Sequence, residues 1–147
     1  MTPLPVIEAL AAQVACYRRL AKLAEAQHDF IQNARTEELL QVLRDRQTLL
    51  DQLSGHEEVV GPVKRNWSQF VTTLDGDSRK RAEELMAESR TLLEQITNAD
   101  RKDVMTLQQK KLNLGRQINQ ATAARQVNRN YAAAAYGKVP SRMDVTK

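Results

Sequence analysis

The chain has 147 residues, of which 41% are hydrophobic, 27% charged and 4% aromatic, a length for one domain and hardly for two. So few aromatics, with five glycines and four prolines, speak against a β-sandwich or barrel, which needs frequent turns and strands rich in aromatic and β-branched residues. The formal net charge of +4 hides a division: residues 1–100 hold 12 Lys/Arg against 16 Asp/Glu, and residues 101–147 hold 10 against 2, so a basic arm with a separate task is expected at the C-terminal end.

Pro3 and Pro5 suit the first turn of a helix. Ile7, Leu10, Val14, Tyr17, Ala21, Ala24, His28 and Ile31 then recur at alternating spacings of three and four, a heptad seam, with Leu20 and Leu23 on its flank. The pattern loosens over residues 33–36. Thr36 is the expected N-cap of a second helix, whose first turn holds Glu37 and Glu38. That helix carries Leu39, Leu43, Arg46, Leu50 and Leu53, with Leu40 and Leu49 beside them, and is expected to stop at Ser54-Gly55. Gly61-Pro62 marks another boundary. Val60, Val63, Trp67, Phe70 and Leu74 predict a short third helix that caps the core at one end. Asp75-Gly76-Asp77-Ser78 reads as a turn, with Ser78 as the expected N-cap of the last helix.

From Arg79 to Ala135 there is no proline, and Gly115 is the one interior glycine. A seam begins with Ala82, Leu85, Ser89, Leu92 and Ile96, weakens at Asp100 and Asp103, and resumes through Leu107, Leu114, Ile118 and Ala121. A helix of this length cannot bury itself in a compact globule of the chain's size. The expected fold is all-α: an elongated antiparallel helical hairpin or bundle with two long helices and one or two shorter connecting helices. Residues 1–136 form one helical domain and residues 137–147 a flexible polar tail.

Chemistry-bearing motifs are absent from this sequence. Cys16 has no second cysteine to pair with, which points to a reducing compartment. His28 lies on the seam and His56 in the expected turn, at no zinc-ligand spacing from Cys16. Glu83, Glu84 and Glu88 read as a solvated face rather than as an acid/base pair. No phosphate loop, HExxH or nucleophile motif occurs, so no enzyme activity and no cofactor are expected. The start of the chain has no signal-peptide pattern and no apolar run approaches the ~20 residues of a membrane span, so a cytoplasmic protein without membrane insertion is expected.

The basic arm has three readings. Lys110, Lys111, Arg116, Arg125 and Arg129 could meet nucleic acid, but glutamine and alanine dilute them, and nucleic acid is not the expected partner. They could form a plain solvated face, or belong to a partner-binding helix complementary to an acidic or mixed protein surface. The N-terminal helices are too short to cover the whole of the last helix, so part of its apolar surface should stay exposed, and an apolar strip rimmed by polar groups marks a docking site. Tyr131 and Tyr136 flank four alanines and either anchor an interface or stand at a frayed helix end.

The order of these features resembles the FlgN-type flagellar export chaperones. The likeness rests on the long N-terminal amphipathic helix, on Arg35-Thr36-Glu37-Glu38-Leu39-Leu40 with Leu43 and Arg46-Gln47-Thr48-Leu49-Leu50, and on the aromatic-bearing linker helix. It extends to a long final helix containing Ile96, Asp100-Arg101, Leu107 and Ile118, and to the ending Asn128-Arg129-Asn130-Tyr131 and Ala135-Tyr136-Gly137. It implies a bacterial cytoplasmic chaperone for type III export. Such a chaperone covers the C-terminal helical segment of the hook-associated proteins of the hook–filament junction and delivers them to the cytoplasmic domain of the export gate. Carried onto this chain, the client surface is Leu107, Leu114, Ile118 and Ala121, and the gate contact is Tyr131 and Tyr136. The competing expectations are another flagellar helical chaperone and a structural coiled-coil adaptor that homodimerises through the N-terminal seam.

Overall fold

In the computed structural model, which describes residues 3–136, the chain forms four helices and, among the described residues, no strand. They are α1 (Pro3–Gln32), α2 (Thr36–Arg65), α3 (Trp67–Thr72) and α4 (Gly76–Tyr136). The chain divides into two compact units, residues 1–106 and 107–147. The tail expected over residues 137–147 lies outside the described residues.

The first unit is a three-helix bundle with α3 at one end. Side-chain pairs set its directions. Gln13 meets Glu57 and Gln27 meets Arg46, so α1 and α2 are antiparallel. Arg18 meets Glu88 and Gln27 meets Asp103, so α1 and α4 run the same way. The expected all-α antiparallel bundle is what forms. With 30 residues, α2 is as long as α1.

α1 lies against two helices, so its buried stripe is wider than a single seam. Leu10, Val14, Tyr17, Ala24 and Ile31 of the heptad seam are buried, and Ile7, Ala21 and His28 are half-buried. Val6, Gln13, Leu20 and Gln27 are buried too, and these four recur every seven residues. One apolar cluster gathers Val6, Leu10 and Val14 with Val60, Val63 and Leu85, and Trp67 and Phe70 pack on it with ring centroids 5.6 Å apart. The α3 aromatics thus cover one end of the core as expected. A second cluster joins Cys16, Tyr17 and Leu20 to Leu49, Leu53 and Ile96. Five of the eight residues of the N-terminal seam are therefore buried within the bundle.

Three expected boundaries are corrected. The N-cap of α2 is Arg35 and Thr36 is its first helical residue; no side chain caps this end. α2 does not stop at Ser54-Gly55 but runs through Gly55, Gly61 and Pro62 to Arg65, so His56 sits in a helix and not in a turn. The reason is packing. Val60 and Val63 are buried against α1 and α4, worth roughly 1.5–3 kcal/mol each, whereas a helical glycine costs about 1 kcal/mol. Pro62 has no N–H for the Glu58 carbonyl and costs about 3 kcal/mol in a helix, an amount comparable with the burial of the two valines. The cap of α4 is Asp75, not Ser78: its Oδ1 accepts the Ser78 N–H at 2.8 Å, and its own carbonyl accepts the Arg79 N–H at 2.9 Å. The bond from the Ser78 amide also holds the Asp75 carboxyl below the ordinary carboxylate range.

Candidate functional site

Two places on the chain concentrate polar or apolar chemistry in an unusual way. The first is a polar layer in the bundle. Here α4 brings Asp100 and Asp103 to the seam, one turn apart, where apolar residues would continue the run from Ile96. Asp103 is only 2% exposed. Its Oδ2 accepts from Gln27 Nε2 at 2.9 Å, and its Oδ1 lies 2.9 Å from His28 Nδ1. Arg46 of α2 donates to Gln27 Oε1 at 2.8 Å and to both carboxylate oxygens of Asp100 at 2.8 and 2.9 Å. The hydrogen bond to Asp100 raises the Arg46 guanidinium further above its ordinary range, against the effect of burial. One network thus ties all three helices, and the seam that weakens in the sequence at these aspartates continues in the fold as paired polar groups. Its signal in the sequence is that Asp103 stands seven residues after Ile96 and Gln27 seven after Leu20.

Chemically the layer is spent on itself. Both oxygens of Asp103 and both of Asp100 accept hydrogen bonds within the bundle, which suits a fixed structural carboxylate better than a proton-transferring one. Among the described residues no group of three His, Cys, Asp or Glu side chains is placed to hold a metal ion. Cys16 is buried with its Sγ 3.7 Å from Gln52 Oε1, and burial pushes its thiol up, away from the reactive thiolate. Glu88, expected on a solvated face, makes a two-pronged pair with Arg18 of α1, and Glu83 pairs with Arg79 one turn away.

The second place is the part of α4 in the second unit. Leu107 is 49% exposed and Leu114 and Ile118 are each 57% exposed; Ala121 is exposed as well. At 100° per residue the four fall within an arc of about 60°, so the expected client positions do share one face. Arg125 falls inside the same arc and Lys111 about 20° beyond its edge, whereas Leu112 and Val127, also exposed, point to the opposite side. Between Leu107 and Tyr136 there are five cations, Lys110, Lys111, Arg116, Arg125 and Arg129, and no Asp or Glu. Tyr131 is 72% exposed. Tyr136 ends α4, and its side chain lies outside the described residues. The leucine stripe and both tyrosines belong to the second unit, and the polar layer belongs to the first.

Among the described residues, fold and site together define an all-helical chain with a three-helix bundle and a long last helix that presents apolar residues among cations. No helix among the described residues is long and apolar enough to cross a membrane. No protein-family model, curated protein or solved structure matches the chain.

Proposed function

We propose that this protein is a cytoplasmic export chaperone of the FlgN type, which binds the C-terminal helical segment of flagellar hook-associated proteins and hands them to the cytoplasmic domain of the export gate. The observation that carries the reading is the exposed stripe Leu107, Leu114, Ile118 and Ala121, three of whose side chains are large and apolar and stand about half in solvent. Apolar side chains repeated on one face of a helix gain free energy when a partner covers them. A client segment that is unstructured alone loses conformational freedom on docking, which keeps the complex releasable without any nucleotide chemistry on the chaperone. Tyr131 and Tyr136 are the residues assigned to the gate, since tyrosine combines a large apolar ring with a hydrogen-bonding end. Support for the flagellar identity of the client comes from the likeness of the sequence to that family.

The test is co-expression with a hook-associated protein. The two proteins are expected to co-purify, and Leu114→Asp with Ile118→Asp is expected to abolish the complex while circular dichroism keeps its helical signal. Loss of folding in the double variant would place both residues in a core. Two well-folded partners that fail to associate would end the chaperone reading.

A further inference from the structure

The apolar stripe of the second unit is not purely apolar, and its interruptions restrict what can cover it. Leu107, Leu114 and Ala121 share one heptad position of α4, and Lys111, Ile118 and Arg125 share the other. Lys111 and Arg125 therefore stand in the line of the seam itself, not on its rim. They are fourteen residues apart, about 21 Å along the helix axis, and Ile118 lies midway between them. A partner helix of about four turns or more, centred on Leu114 and Ile118, also covers these two cations, and a covered cation without a carboxylate is strongly disfavoured.

That condition excludes several occupants. A second copy of this chain docked through the same stripe has no carboxylate to offer, because residues 107–136 contain none. A parallel in-register pair would place Lys111 against Lys111 and Arg125 against Arg125. A lipid surface suits helices whose cations rim the apolar face, where they can reach the headgroups, and here two of them occupy its centre. Duplex nucleic acid would satisfy the cations and leave Leu114 and Ile118 uncovered or against phosphate.

Resting on the reading that this stripe is the protein-binding surface, we infer that its occupant is an acidic amphipathic helix whose own seam carries two carboxylates fourteen residues apart, with apolar residues between them. Lys111 and Arg125 then act as register pins. They admit a partner only in the alignment that pairs both charges, and they keep copies of the chain from associating through this face.

The experiment uses the full chain and three synthetic amphipathic peptides with a leucine seam, their binding read by fluorescence anisotropy of the labelled peptide. One peptide has glutamates at two seam positions fourteen residues apart, one has lysines there, and one has the glutamates eleven apart. The first is expected to bind at least about tenfold more tightly than either of the others. Lys111→Glu with Arg125→Glu is expected to reverse the preference between the glutamate and lysine peptides. Lys111→Leu with Arg125→Leu is expected to make the chain self-associate in sedimentation. Equal binding of the three peptides, an unreversed preference, or binding of phosphatidylglycerol vesicles or duplex DNA in place of the acidic peptide would overturn the inference. If a hook-associated protein is captured through Leu114 and Ile118 but its capture survives the charge reversal, the inference falls and the chaperone reading stands. If the peptide preferences hold and hook-associated proteins are not captured, the chaperone reading falls alone.

Discussion

Asp103 and Ser89 show how differently two polar groups behave on one helix face. Both belong to α4 and both are buried, at 2% and 5% exposure. Asp103 is held by Gln27 and His28 of α1. The Ser89 hydroxyl has no hydrogen-bond partner among the described residues and lies on the seam between Leu85 and Leu92. Removing a carboxylate that the buried Gln27 and the half-buried His28 both rely on leaves those groups unsatisfied, which costs on the order of 2–4 kcal/mol. Removing a hydroxyl that has no partner relieves a desolvation cost of about 1 kcal/mol and improves helix propensity. Asp103→Ala is therefore expected to lower, and Ser89→Ala to raise, the free energy of unfolding measured in urea. A neutral Asp103→Ala would show that the polar layer contributes nothing net to the bundle. The layer also gives His28 a partner at its seam position, the Asp103 carboxylate. Glutamine, histidine and aspartate at heptad positions look like defects in a hydrophobic pattern, and only the meeting of α1 with α4 makes them partners.

At the scale of the element, the chain's punctuation is partly reversed. Gly55 sits inside α2, where a Cβ would meet nothing within 4 Å. Ala34 sits in the turn after α1 with a φ of 53°, the left-handed region that glycine favours. The turn itself is a full Schellman closure: the Arg35 N–H donates to the Phe30 carbonyl at 2.9 Å and the Ala34 N–H to the Ile31 carbonyl at 3.3 Å. Gly55→Ala and Ala34→Gly are each expected to stabilise the protein by roughly 0.5–1 kcal/mol, read as a rise in Tm. A loss in either would mean that the position has a packing role that its surroundings do not reveal. The same reversal explains which elements could be read ahead of the fold. The α1 seam, the break near residue 34 and the α4 seam from Ala82 to Ile96 were legible, because each is a run of apolar residues at helical spacing or its interruption. The end of α2 was not, because Gly55 and Pro62 signal stops that the burial of Val60 and Val63 overrides. The stripe Leu107, Leu114, Ile118 was legible as periodicity, but its exposure depends on where the bundle ends.

Across the whole chain, burial changes abruptly within a single helix. In α4, Ala82, Leu85, Ser89, Ile96 and Asp103 are buried, and from Leu107 to Ala133 only Gly115 is even half-covered. Helix stability in water comes mostly from packing of one face, and a helical segment without it is marginal. The sequence of residues 107–133 adds to this, with Gly115 and the asparagines Asn113, Asn119, Asn128 and Asn130 all weak helix formers. Backbone hydrogen bonds of the two parts should therefore open with very different free energies: near the global value for the bundle part, and close to zero for the exposed part. Amide hydrogen exchange read by mass spectrometry is expected to be faster in residues 107–133 than in residues 82–103 by on the order of a hundredfold or more, a difference of about 2.7 kcal/mol in opening free energy. Docking of an acidic helix on Leu114 and Ile118 covers the stripe, so it should slow exchange in residues 107–125 and leave the bundle unchanged. Uniform protection along all of α4 in the free protein would contradict this picture, since it would require a cover for the terminal stripe that is already in place before any partner binds.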